Sequence, residues 1–205
     1  TGQLWPIADT SGYPRPNLLN FKGKEVPERI YLFTDVDCRV ENNWASEMSK
    51  YYKCSDYVIG FSKIKENKSF VSKFQSIDFN MLMISACSST FMSYPLACSG
   101  QNQSYKKSIF LKINGFNKIS NLLQGDDSIF LQLCRRINNI RISFSITPGS
   151  YVTAKTHINW KDFILQRIRW SGDANIMWKY NKLFFIIIFS TFHSNLFILY
   201  LLFKK

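Results

Sequence analysis

Apolar positions along the chain change their period several times, and each change marks an element. Ile30-Tyr31-Leu32-Phe33 is a short, continuous apolar run of the kind a buried parallel strand requires. It delivers Thr34-Asp35-Val36-Asp37 at its C-terminal end. Trp44, Met48 and Tyr51 then recur at helical spacing behind the capping candidates Asn42 and Asn43. Residues 57–61 predict a second strand. Phe70, Phe74, Ile77, Met81 and Ile84 predict a long amphipathic helix. A loop at residues 99–102 and a turn at Asn114-Gly115 separate it from a helix opened by Asp126-Asp127, with Ile129, Leu133 and Ile137 at its apolar positions. Residues 141–146 predict another strand, and a helix runs from near Asn159 through Trp170. Strands alternating with helices predict an α/β domain with a mainly parallel sheet.

Residues 183–203 form an apolar stretch of 21 residues without a formal charge. As a helix it would measure roughly 31 Å, against about 30 Å of bilayer hydrocarbon. This predicts a transmembrane helix, weakened in the middle by Ser190, Thr191, His193, Ser194 and Asn195. A buried or interfacial helix is the alternative. Lys161, Arg167, Arg169, Lys179 and Lys182 precede the stretch, which places its N-terminal side in the cytoplasm. Residues 1–28 hold prolines and glycines without sustained periodicity and read as an irregular or remnant segment. The domain expected over 29–180 is accordingly incomplete at its N-terminus.

Composition narrows the picture only a little. With 46% hydrophobic residues among 205, the chain can bury one sizeable core. The formal charge is +12, from 26 Lys and Arg against 14 Asp and Glu. Such a chain suits nucleic acid, anionic lipid or phosphorylated small molecules, and the scattered basic residues do not choose among them. The five cysteines are odd in number and form no CxxC pair, which argues against a zinc site and a disulfide framework.

Three groups of residues carry candidate chemistry. Asp35 and Asp37 flank one residue at the end of a strand, so both carboxylates can address one site, where hard oxygen ligands suit Mg²⁺ or Mn²⁺ and a diphosphate. Gly125-Asp126-Asp127 precedes a helix and could supply a general base or an ordinary acidic cap. Gln166, Arg169 and Trp170 stand at i, i+3 and i+4 and so share a helix face, while Trp160, Ile164 and Ile168 form a different, apolar face. An amide, a guanidinium and an indole together suit a phosphorylated sugar; the alternative is a basic amphipathic helix lying on anionic lipid.

In this order, the DxD, the acidic pair and the Gln166-Arg167-Ile168-Arg169-Trp170 run resemble glycosyltransferase family 2, which includes cellulose synthase, hyaluronan synthase and ceramide glucosyltransferase. The stretch from Ser99 to Phe110, running into Asn114-Gly115-Phe116, also resembles that family's G-x-N-x-A-Y-R-R-x-x-F…G-G-F segment. The resemblance covers about residues 30–180. It implies a GT-A fold, a Rossmann-like, mainly parallel sheet flanked by helices, and an inverting transfer from a nucleotide-diphosphate sugar to a hydroxyl of a lipid or growing polysaccharide. It also implies an inner (plasma) membrane location with the catalytic domain in the cytoplasm.

By the same resemblance, Asp37 binds the divalent metal, with Asp35 assisting at the metal or donor nucleotide. One of Asp126 and Asp127 deprotonates the acceptor. Matching GDD to the family's GED selects Asp127, the preferred reading, and matching the apolar rhythm that follows selects Asp126. Gln166, Arg169 and Trp170 hold donor diphosphate and acceptor, and Asn102 lines the donor-sugar pocket. Nothing in residues 1–28 matches the family's opening strand-helix-strand unit, so much of the nucleotide pocket is expected outside these residues.

Rival readings fit less well. A haloacid dehalogenase-like motif at Asp35 and Asp37 wants Thr or Val where Arg39 stands, and an acid where Phe130 stands. A viral polymerase reading lacks the second aspartate of its first metal motif. The non-enzymatic alternative is a basic peripheral-membrane or nucleic-acid-binding module whose motifs are coincidental; no nucleic acid is expected under the transferase reading.

Overall fold

The computed structural model describes residues 29–122 and 127–204; the segment 1–28, read above as a remnant, lies outside the described residues. Two small mixed sheets carry the α/β architecture. One comprises β1 (Ile30–Phe33), β5 (Gln103–Lys106), β3 (Tyr57–Gly60) and β6 (Ile142–Ser145), in that spatial order. The other places β7 (Val152–Ala154) between β2 (Arg39–Val40) and β4 (Ser62–Ile64).

The two sheets share their chain. β3 runs into β4 through Phe61, and β6 reaches β7 through a short helical turn, Pro148–Ser150. β3 pairs with β6, and β4 with β7, in parallel. β5 runs antiparallel to both neighbours, with Phe33 and Ile59 each opposite Gln103.

This corrects the expected fold. The structure is mixed α/β with small mixed sheets, not a mainly parallel, GT-A-type sheet. The reason lies in β5, a strand written Gln-Ser-Tyr-Lys, without apolar alternation to announce it. Its polar side chains are buried but bonded: the Tyr57 hydroxyl donates to Gln103 Oε1 at 2.5 Å, and the Tyr52 hydroxyl to Ser104 Oγ at 2.6 Å. Lys106 Nζ lies 2.8 Å from Asp56 Oδ1. Satisfied in this way, polar groups can occupy a sheet centre at little cost.

Helices α1 (Trp44–Lys50), α2 (Phe70–Phe91), α3 (Lys107–Lys112) and α4 (Ser128–Cys134) pack around the sheets, followed by α5 (Trp160–Tyr180) and α6 (Lys182–Phe203). α2 begins at Ser69, whose hydroxyl accepts from Ser72 N at 3.1 Å. The core gathers at the aromatic rings of Tyr57, Tyr105 and Phe130, all fully buried. Tyr105 lies 4.7 Å from Phe130 and 4.9 Å from Phe33, ring centre to ring centre. Burying each such ring stabilises the fold by about 1.5–3 kcal/mol.

A second correction concerns residues 183–203. They are helical in α6, but among the described residues no helix is long and apolar enough to cross a membrane. The apolar run is broken midway by Ser190, Thr191, His193 and Ser194. Thr191 Oγ1 donates to Ile187 O, and His193 Nδ1 lies 2.8 Å from Phe189 O, so these polar groups turn back on their own helix. The inner-membrane placement expected from this stretch gains no support from it.

Candidate active site

One edge of the four-stranded sheet collects the C-terminal ends of β1, β3 and β6 and the N-terminal end of β5. In open α/β sheets ligands sit beyond the carboxyl ends of strands. Here β1 leads directly into the aspartate loop, closed by a bond from Cys38 N to Asp35 O at 3.1 Å. Asp35 and Asp37 are exposed, and Val36 between them faces solvent completely. One ligand atom each from Asp35, Asp37 and Cys38 can be chosen with all three within 4.8 Å of one another. Two carboxylates suit a hard cation that keeps several waters and shares a diphosphate. The Cys38 thiol fits less well: burial, then the carboxylates of Asp35 and Asp37, push it up to about 12.

Across the β1–β5 pair lies the loop at residues 98–102. Its backbone is tied to the start of α4: Cys98 N donates to Ser128 Oγ at 3.2 Å, and that hydroxyl donates to Cys98 O at 2.9 Å. Gly100 N donates to Asp127 Oδ2 at 3.2 Å, while Asp127 Oδ1 accepts from Ser128 N. Asp127 is therefore both the cap of α4 and a clamp on this loop. Asp35 stands two residues past Phe33, and Gly100 three residues before its partner Gln103. At up to about 3.5 Å per residue, both lie within about 10 Å of one end of the β1–β5 pair. Asp126, the other acid of the pair, lies outside the described residues.

Asn102 is fully buried, and its side chain is spent internally. Nδ2 donates to Phe61 O at 2.9 Å and Ser150 O at 2.8 Å, while Oδ1 accepts from Trp44 Nε1 at 3.0 Å. These partners sit at the β3–β4 break, at the β6–β7 turn and on α1, so the amide pins the two sheets and α1 together. Gln101 Oε1 is buried and has no hydrogen-bond partner among the described residues, which leaves an acceptor beside the Asp127 clamp. Sequence reasoning missed Gln101 because a glutamine in a polar loop carries no signal.

The Gln166–Trp170 run divides on α5. Trp170 is half-buried with its ring 6.1 Å from Phe79 of α2, whereas Arg169 is exposed and Gln166 half-buried. The intervening Arg167, which no pattern singled out, stacks over Trp170 at 4.2 Å and pairs with Asp78 of α2. Burial lowers the Arg167 pKa, and Asp78 opposes that shift. No protein-family model matches the chain, and no curated protein matches it at a significant level.

Proposed function

We propose that the chain is the catalytic part of a metal-dependent glycosyltransferase that moves a sugar, with inversion, from a nucleotide-diphosphate donor to an acceptor hydroxyl. The observation that supports this most is that the Asp35–Asp37 loop and the loop clamped by Asp127 both leave the same end of the β1–β5 pair. The resemblance of the motif order to glycosyltransferase family 2 supports it independently.

Asp35 and Asp37 would hold Mg²⁺ or Mn²⁺, whose charge would stabilise the departing diphosphate. Asp127, or Asp126, would take the proton of the acceptor hydroxyl as its oxygen attacks the anomeric carbon. The bond from that carbon to the diphosphate oxygen breaks on the opposite side, and the nucleoside diphosphate leaves. Both Asp127 oxygens accept backbone N–H bonds, Oδ1 from Ser128 and Oδ2 from Gly100, which would set the carboxylate's direction toward the acceptor. Arg169, exposed on α5, is free to meet phosphate, and Gln166 and Trp170 would contribute to the donor and acceptor side.

The test is thermal stabilisation of the full chain by nucleoside diphosphates with and without Mn²⁺, followed by turnover across a panel of nucleotide sugars. Metal-dependent protection that disappears in Asp37→Ala supports the reading. Indifference to every nucleotide and divalent ion would sink it.

A further inference from the structure

The apolar stripes of α2 and α5 face the wrong way for a core. Phe70, Phe74, Ile77, Met81 and Ile84 all lie outward on α2, with Phe70 72% and Met81 65% exposed. The buried side of the same helix carries Val71, Ser72, Gln75, Ser76 and Phe79. Those polar groups are satisfied inside: Gln75 exchanges two hydrogen bonds with the backbone of His157, and Ser76 Oγ donates to Glu66. α5 repeats the inversion, with Trp160, Ile164, Leu165 and Ile168 between 41% and 62% exposed.

The two helices lie side by side and run in the same direction. Trp160 packs on Phe70 and Phe74, Phe163 on Phe74, Arg167 on Asp78 and Trp170 on Phe79. At about 100° per residue, the exposed apolar positions of both helices then fall on one side of the two-helix layer. They form one continuous ridge, far more than the scattered apolar residues of an ordinary surface. Its charge is mainly positive. Lys68, Lys73, Lys161 and Arg169 are exposed on or beside it, against one exposed carboxylate, Asp162, since Asp78 is paired with Arg167.

An apolar strip with an indole at one end and a cationic border matches a bilayer interface bearing anionic headgroups. We propose that the α2–α5 ridge docks the protein onto an anionic lipid surface, lying in the interface without crossing it. The docking goes beyond the transfer chemistry and does not depend on it. Its geometry would nevertheless suit a lipid acceptor, because both helices start just beyond β4 and β7, and β7 pairs with the strand that follows Asp37.

The experiment is co-sedimentation of the full chain with phosphatidylcholine vesicles and with vesicles containing 30% phosphatidylglycerol, each at low and high salt. The expected result is at least tenfold tighter binding to the anionic vesicles, weakened by salt. Ile77→Ser with Met81→Ser, and separately Ile164→Ser with Ile168→Ser, should each weaken it about tenfold. These positions are exposed, so circular dichroism and the unfolding midpoint should match the parent.

Ile187→Ser with Phe197→Ser on α6 is the comparison pair, expected to bind like the parent. Loss of binding only in the α6 pair, equal binding by parent and ridge variants, or no binding at all would each overturn the proposal. A lipid-free dimer dissociated by the ridge variants would also overturn it, by assigning the ridge to a second copy of this chain.

Discussion

The side chain of Asn102 occupies the space that any side chain on Gly60 would need: a Cβ there would lie 2.3 Å from the Asn102 Cγ. Gly60 N also donates to Asn102 O at 2.8 Å, so the two residues are locked by both backbone and volume. Asn102→Ala would leave the carbonyls of Phe61 and Ser150 and the Trp44 indole without their partner. The expected loss is about 3 kcal/mol, read from the urea midpoint. Gly60→Ala should be comparably damaging, because the obstacle is a buried, fully bonded amide.

Asp127 offers a separation of cap from base. Asn is as good a helix cap as Asp but has one acceptor oxygen, so Asp127→Asn should keep the cap and lose the Gly100 bond at about 1 kcal/mol, whereas Asp127→Ala should lose both at about 2 kcal/mol. If Asp127 is the proton acceptor, Asp127→Asn lowers turnover by about 10²-fold or more at temperatures where the variant stays folded. Unchanged turnover in that variant would move the role to Asp126.

Acid should weaken the fold through Asp56. Burial would raise its pKa, but hydrogen bonds from Arg141 and Lys106 outweigh that and hold it at about 2, against an ordinary 3.8. A carboxylate depressed in the folded state stabilises it above its unfolded value, and that contribution is lost as pH falls. Stability should therefore drop between about pH 4 and pH 2. Urea titrations of Asp56→Asn across that window should show a flatter dependence than the parent.

The pair Arg167–Asp78 couples α5 to α2 at partial exposure, 23% and 36% for the two side chains. A double-mutant cycle with Arg167→Gln and Asp78→Asn should return a coupling of about 0.5–1 kcal/mol, diminished by salt. Because the guanidinium also stacks on Trp170, Arg167→Gln should alter tryptophan fluorescence more than Asp78→Asn does.

Continuous apolar runs were the most legible part of the sequence. The run at Ile30–Phe33 is β1, though half-buried and paired antiparallel rather than the buried parallel strand expected, and the strand read at 57–61 is β3 at Tyr57–Gly60. The helices expected from Phe70 and from near Asn159 both form and extend beyond their patterns, to Phe91 and Tyr180. Periodicity named the stripes on them correctly, yet it carries no information on which way a stripe faces. On α2 that was decided by the buried side chains of Gln75 and Ser76 finding hydrogen-bond partners in His157 and Glu66. β5 escaped detection because its burial rests on side-chain hydrogen bonds to residues remote in the chain. The same blindness hid the internal role of Asn102. Asp35 and Asp37 were legible because a strand end exposes whatever follows it.

Among the described residues β1 is an edge strand, joined to its sheet through β5 alone. The loop with Asp35 and Asp37 therefore hangs from a strand whose only backbone partner among the described residues is the polar β5, although Tyr31 and Phe33 pack on Tyr105. A local opening that peels β1 away would scatter the two carboxylates while the interior stays folded. Amide exchange should register this as weak protection across 30–38 beside strong protection across 57–60. A cation shared by both aspartates would draw the two rates together.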